Sequence, residues 1–205
     1  MQLEVDYYMT PTSPWSFLGH GVLREILARH NAQVRVKPID VGSRVFPVSG
    51  GVPMGKRAPQ RQSYRLVELA RWSSLRGVRL NLHPKHFPVP AEEACRLIIA
   101  AQLVHGQDAA MRLADALMRA LWMEERDIAD TATLHEIVHA CGLEVQAIVH
   151  RVADAHQVFD AYTHEAIERH VFGVPWYVFR DEPFWGQDRL DMLDRALASA
   201  HAAAQ

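Results

Sequence analysis

The stretch YYMTPTSPWSFLGHG, Tyr7–Gly21, carries Ser13-Pro14-Trp15-Ser16 between two different hydrophobic periods. Upstream, Leu3-Glu4-Val5-Asp6-Tyr7 alternates in the manner of a strand. Downstream, Phe17, Leu18, Val22, Leu23, Ile26 and Leu27 recur at helical spacing. The tetrapeptide therefore marks the handover from a first strand to a first helix. Serine is a favoured N-cap, and proline is best tolerated in the first helical turn. First-turn N–H groups and the helix dipole favour an anion at such a point.

Outward from that point, residues 3–8 read as a strand, 14–30 as a helix, and 33–39, QVRVKPI, as a second strand. The basic, Gly- and Pro-rich segment Gly42–Pro59 is longer than an ordinary connection, which points to a functional loop. From Gln60 the pattern is helical, with Tyr64, Leu66, Val67, Leu69, Ala70 and Trp72 forming an apolar stripe. NLHPKHFPVP interrupts it, and residues 91–105 and 108–122 resume it. Thr133 with Glu136 has the form of a capping box, and Gly142 stops the short helix that follows. Helical patterns recur at about 144–153 and 156–169. The period then switches. Trp176–Phe179 reads as a strand, Glu182–Trp185 as its hairpin partner, and Asp188–Ala203 as a last helix. The order β-α-β, helical block, β-β-α describes an α/β core, 1–59 and 169–205, with a helical insertion domain, 60–168.

Composition narrows the function. The 205 residues suffice for one substantial core, and Lys and Arg number 22 against 24 Asp and Glu, a net charge of -2. Nucleic-acid binding would call for a concentrated basic face, and the richest basic run here is only GKRAPQRQSYR. MQLEVDYY lacks the basic and apolar parts of a secretory signal, and no uninterrupted apolar run reaches membrane-spanning length. The two cysteines, Cys95 and Cys141, fall in helical patterns, so buried thiols in a reducing, cytoplasmic setting are expected.

SPWSFLG at 13–19, RWSSLRGVRLNLHPKHFPV at 71–89 and FGVPWYVFRDEPFWGQDRL at 172–190 occur in a fixed order along the chain. In this the chain resembles, over nearly its full length, the DsbA-like branch of the thioredoxin fold. Within it the resemblance is to the glutathione-dependent 2-hydroxychromene-2-carboxylate isomerases, relatives of kappa-class glutathione transferases. The redox members carry Cys-x-x-Cys where this chain has Ser13 and Ser16. Two hydroxyls cannot exchange a disulfide. The resemblance implies that Ser13 donates a hydrogen bond to the thiolate of bound glutathione. It implies a cis Val174-Pro175 bond, with the Val174 backbone pairing the peptide as an added strand would. Asp188 would meet the γ-glutamyl ammonium, Arg189 or the helix N–H groups its carboxylate, and Gln187 is a further candidate. An aromatic carboxylate substrate would need an apolar wall, drawn from Trp15, Phe46, Trp72, Phe87 and Trp185, and one cation, Lys56, Arg57 or Arg61. A homodimer is also implied. Relatives commonly carry asparagine and a second proline where this chain has Gly51 and Met54.

HEIVH at 135–139 matches the zincin pattern HExxH. Position 145, where a longer motif would place a third histidine, is valine, and the helix is short. No metal is expected. The reading is therefore a glutathione-dependent isomerase of 2-hydroxychromene-2-carboxylate and trans-o-hydroxybenzylidenepyruvate, or of a close aromatic analogue. A kappa-type glutathione transferase and a non-enzymatic thioredoxin-like binding protein are the alternatives. Without glutathione, the purified protein is expected neither to reduce nor to oxidise a model disulfide catalytically. Sustained turnover in that assay would contradict the Ser13/Ser16 reading.

Overall fold

Strand β1, Glu4–Met9, has both faces covered: every residue from Val5 to Met9 is buried. That is the environment of a central strand. In the computed structural model, which describes residues 2–202, β1 lies between β2, Gln33–Pro38, and β3, Trp176–Phe179, with β4, Glu182–Trp185, beyond β3. β1 and β2 are parallel, with Tyr7 opposite Val36. β3 runs antiparallel to β1, with Tyr177 opposite Tyr7, and pairs antiparallel with β4. The parallel pair requires a crossover, and helix α1, Pro14–Arg29, supplies it.

Period-two alternation sorts the two faces. Val5, Tyr7, Val34, Val36 and Tyr177 pack with Leu23 and Ile26 of α1 and with Leu190 and Leu193 of the last helix, α9, spanning Leu190–Ala202. Tyr8, Trp176 and Val178 turn to the other face and pack with Ala166, Tyr162 and Ile167. The connection after β2 holds a π-helical turn, Val41–Val45, a single turn α2, Phe46–Ser49, and a 3-10 turn, Met54–Lys56. The helical block follows as α3, Pro59–Arg76; α4, Glu92–His105; α5, Gln107–Trp122; α6, Thr131–Ala140; α7, Val145–Val149; and α8, Val152–Glu168. Buried residues of α4 and α5 share one apolar core with the α1 face of the sheet. Among the described residues no helix is long and apolar enough to cross a membrane.

Three local expectations change. The capping box is absent. Asp130 caps α6 instead, its carboxylate accepting from the Thr133 N–H at 2.7 Å, while Glu136 pairs with Arg126 at 2.8 Å. Asp130 takes the Thr133 N–H that the Glu136 carboxylate would accept in a capping box, and the helix starts at Thr131. The patterns near 144–153 and 156–169 resolve into α7 and a longer α8 beginning at Val152. The final segment opens with a 3-10 turn, Gln187–Arg189, because Gly186 turns the chain at φ 93°. Ala203, the expected last helical residue, lies outside the described residues.

Under α8 the sheet face is charged. Lys37, 4% exposed, contacts Asp6 at 3.2 Å and Glu165 of α8 at 2.8 Å. Arg35 holds the second Asp6 oxygen at 2.5 Å, and the Tyr8 hydroxyl donates to Glu165 at 2.9 Å. Each buried charge has an opposite partner, which offsets its desolvation.

On the opposite face, α1 closes onto the corner after β4. A Cβ on Gly19 would lie 2.7 Å from the Gln187 Cβ and 3.0 Å from the Tyr177 hydroxyl. Alanine in mid-helix ordinarily gains about 1 kcal/mol over glycine. Overpacking against so stiff a neighbour costs about 1–3 kcal/mol. The net loss is about 0–2 kcal/mol, so Gly19→Ala is expected to lower Tm by up to about 8 °C. A melting point above wild type, measured by calorimetry, would contradict so close an approach.

Candidate active site at the N-terminus of the first helix

Ser13 has the extended backbone of an N-cap, φ -91° and ψ 115°, and Pro14 follows at the first helical position. Its Oγ accepts from the Ser16 N–H at 3.2 Å, and its carbonyl accepts from the Phe17 N–H at 3.1 Å. The hydroxyl proton is left free to donate, and the acceptor it finds is the Val174 carbonyl at 3.4 Å. That contact is long, and a hydroxyl rotates freely. Pro14 brings no N–H, so the Trp15 N–H is the first donor of the helix, and among the described residues it has no partner. Ser16 is fully buried behind Ser13.

The Val174–Pro175 bond is cis. The Pro175 carbonyl accepts from the Gly186 N–H at 2.9 Å, which ties this bend to the end of the β3–β4 hairpin. Among the described residues the Val174 N–H has no partner. A bend of extended backbone with a free donor lies beside the Ser13 hydroxyl.

The loop that presents Ser13 is held from below. The Trp122 indole N–H donates to the Pro11 carbonyl at 3.2 Å, and Phe87 packs against the Trp122 ring at 4.9 Å between centroids. The Phe87–Pro88 bond is also cis. Phe87 therefore underpins the site through Trp122, and the Arg65 guanidinium lies over its ring, 5.8 Å from the centre.

The Gln187 corner differs from its expected form. Gln187 is buried, and Arg76 grips it twice, at its side-chain Oε1 and at its backbone carbonyl, both 2.9 Å. Arg76 itself stacks on Trp72, 5.2 Å from the ring centre. Asp188 and Arg189 are exposed and pair with one another at 2.7 Å. They stand as a salt-bridged acid and base beside α1.

Trp15, Arg57 and Arg61 come together with Tyr64, Arg65 and Glu68 around an open cleft of about 380 Å³. Lys56 is exposed and does not line it. Phe46 turns toward the cluster on the α8 face of the sheet. Its ring lies against Gly51, where a Cβ would come within 2.1 Å. A side chain at position 51, asparagine included, would displace that ring. Trp185 is 52% exposed, meets the Phe172 ring at 4.6 Å and sits over Gly173, away from the cleft.

Sequence reading missed Arg65 and Arg76, and did not place Tyr64 at the cleft. For the two arginines the signal was present: 61, 65, 68, 72 and 76 follow spacings of three and four and so share one stripe of α3. The stripe was obscured because attention to apolar periodicity picks out Leu66, Val67 and Leu69 instead. Cys95 is fully buried, and burial pushes its thiol up to about 12, so it supplies no nucleophile.

The model of the DSBA-like thioredoxin domain matches residues 4–198. The 2-hydroxychromene-2-carboxylate isomerase of Pseudomonas putida is 30% identical over 197 residues, covering 94% of this chain and 93% of the relative. The enzyme of the same name from Sphingobium xenophagum is 28% identical over 201 residues, covering 96% and 99%. A solved 2-hydroxychromene-2-carboxylate isomerase superposes with a TM-score of 0.81 at 27% identity, over 96% of this chain and 95% of that one. A domain match across almost the whole chain, with near-full-length similarity of sequence and structure, places it: the chain belongs to the DSBA-like thioredoxin family, in its 2-hydroxychromene-2-carboxylate isomerase group.

Proposed function

We propose that the protein is a glutathione-dependent isomerase of aromatic-compound degradation, acting on 2-hydroxychromene-2-carboxylate or a close bicyclic analogue. The observation that carries the reading is the Ser13 hydroxyl, placed at a helix start against the Val174 bend, with serine also at position 16 where a redox pair would carry its second thiol. Its relatives' names supply the reaction class.

The chain's own groups fit a thiol peptide. The Trp15 N–H, which has no partner among the described residues, and the rotatable Ser13 hydroxyl are neighbouring donors that a thiolate could accept from. The unpartnered Val174 N–H and the Val174 carbonyl could pair an extended peptide backbone. Asp188 and Arg189 can exchange their mutual bridge for the ammonium and carboxylate of a γ-glutamyl end. Bound glutathione would supply a nucleophilic sulfur able to add to, and leave, a conjugated double bond. The chain's part is to hold that sulfur ionised, through Ser13 and the helix start, and to orient a ring against Trp15 with its acid toward Arg57, Arg61 or Arg65. A cytoplasmic homodimer forms part of the same proposal.

Ser13→Ala separates thiolate stabilisation from peptide binding. A charge-assisted hydrogen bond is worth about 1.5–3 kcal/mol, so turnover should fall roughly 10- to 150-fold. Most glutathione affinity should survive, because Val174, Asp188 and Arg189 are untouched. The bound thiol's pKa, followed by ultraviolet thiolate absorbance, should rise by about one to two units, at about 1.4 kcal/mol per unit. Fewer bound thiols are then ionised at neutral pH, so activity should recover toward alkaline pH. Wild-type turnover and an unchanged titration would reduce Ser13 to a helix cap. A glutathione pool consumed in step with turnover would indicate conjugation in place of isomerisation.

A further inference from the structure

One arginine of the helical block is committed to a single buried amide. Arg76, the last residue of α3, donates from Nε to the Gln187 side-chain oxygen and from Nη2 to the Gln187 carbonyl, both at 2.9 Å. The two residues are 111 positions apart in the chain. Arg76 has only donors, so the Gln187 amide turns its oxygen to the guanidinium and carries its N–H groups elsewhere. The planar fork is itself set by Trp72, one turn back on α3, whose ring centre lies 5.2 Å away. From the other side α1 meets Gln187 with no side chain between, since a Cβ on Gly19 would come within 2.7 Å of the Gln187 Cβ. Gln187 is 2% exposed, clasped between two helices. Its neighbours Asp188 and Arg189 are exposed, and their charges pair with one another.

The corner is therefore fixed at one residue and free at the next two. For a ligand end that carries both charges, such an arrangement lowers the cost of binding. The backbone that bears the two side chains is ordered in advance, and only the side chains rearrange. A γ-glutamyl group has its ammonium and carboxylate on one carbon, so the acid and base that receive them must stand at a set separation. We propose that Arg76 is a positioning residue for the γ-glutamyl end of glutathione, holding Gln187 so that Asp188 and Arg189 project from a fixed corner. In this role Arg76 acts through Gln187 and not on the peptide. The inference rests on the glutathione reading and adds a residue of α3 to it. Because α3 also carries Arg61 and Arg65 to the Trp15 cleft, one helix then serves both ligands.

The test compares S-methylglutathione with N-acetyl-S-methylcysteinylglycine, in which acetyl replaces the γ-glutamyl group. Both affinities are measured on the intact protein by ligand-observed magnetic resonance. Neither probe has a free thiol, so the effect of Ser13 on ionisation does not enter. In wild type the γ-glutamyl group should strengthen binding roughly 30-fold. Arg76→Ala should cut that preference to about threefold, with the acetyl peptide bound within about twofold of wild type. Arg76→Lys keeps the charge but not the planar fork, and should fall between, at about tenfold. It stands in for Arg76→Ala should that variant fail to fold. Combining Arg76→Ala with Asp188→Asn should lose no more than about twofold beyond the larger single loss, because both act at one corner. A preference that stays at the wild-type value in both Arg76 variants overturns the proposal. So does a loss shared equally by the two probes, which would make Arg76 a residue of the fold alone. Wild type that binds neither probe, or binds both equally, removes the glutathione reading of this corner and the inference with it. Wild type that shows the preference, with variants that keep it, removes only the role of Arg76.

Discussion

A single hydroxyl joins two parts of the chain 161 residues apart. Ser13 caps the helix that follows the first strand, and reaches the carbonyl of Val174 just before the last hairpin. Everything around it serves that meeting. Gly19 lets α1 close onto Gln187 and Tyr177. Trp122 fixes the loop ahead of Ser13 through the Pro11 carbonyl. Arg76 locks Gln187 in place from α3. The candidate site is an edge where a helix start, the bend at Val174–Pro175 and a hairpin corner meet, and each is held by a contact from another element.

In redox members of this fold, paired thiols at the helix start react with each other. Here serine stands at both places, and in the proposed function the anionic sulfur is that of bound glutathione. On that proposal the same electrostatic device, a helix start that favours negative charge, acts on a bound group. Set against Cys-x-x-Cys, the chain carries oxygen in place of sulfur at positions 13 and 16.

Much of this was legible in the sequence. The strand–helix handover at Ser13, both hairpin strands and the helical block follow from period and punctuation, because both faces of each element obey simple burial rules. The cis Val174–Pro175 bond came through resemblance to a family, since no local pattern distinguishes a cis bend from a plain turn. The Thr133 capping box failed because two acceptors compete for one N–H, and spacing alone does not rank them. Phe46 and Trp185 looked like pocket walls, yet the structure turns both toward the other side of the sheet. Side-chain direction at a loop or strand end depends on the neighbours, here Gly51 and Phe172. Arg76 was missed because its partner is 111 residues away.

The charged network beneath α8 bears on how the chain finds its fold. β1 and β2 are parallel and joined only through a helix, so no tight turn sets their alignment. A shift of β2 by one residue would carry Lys37 to the face where Val34 and Val36 now sit, among apolar side chains. The ammonium would lose Asp6 and Glu165 together, and an unpaired buried charge costs several kcal/mol. Two valines would at the same time be turned into the polar layer under α8. Misalignment is therefore penalised twice, once by charge and once by hydrophobicity. Lys37 acts as a proofreading residue for strand register, at a point where connectivity alone would tolerate an error.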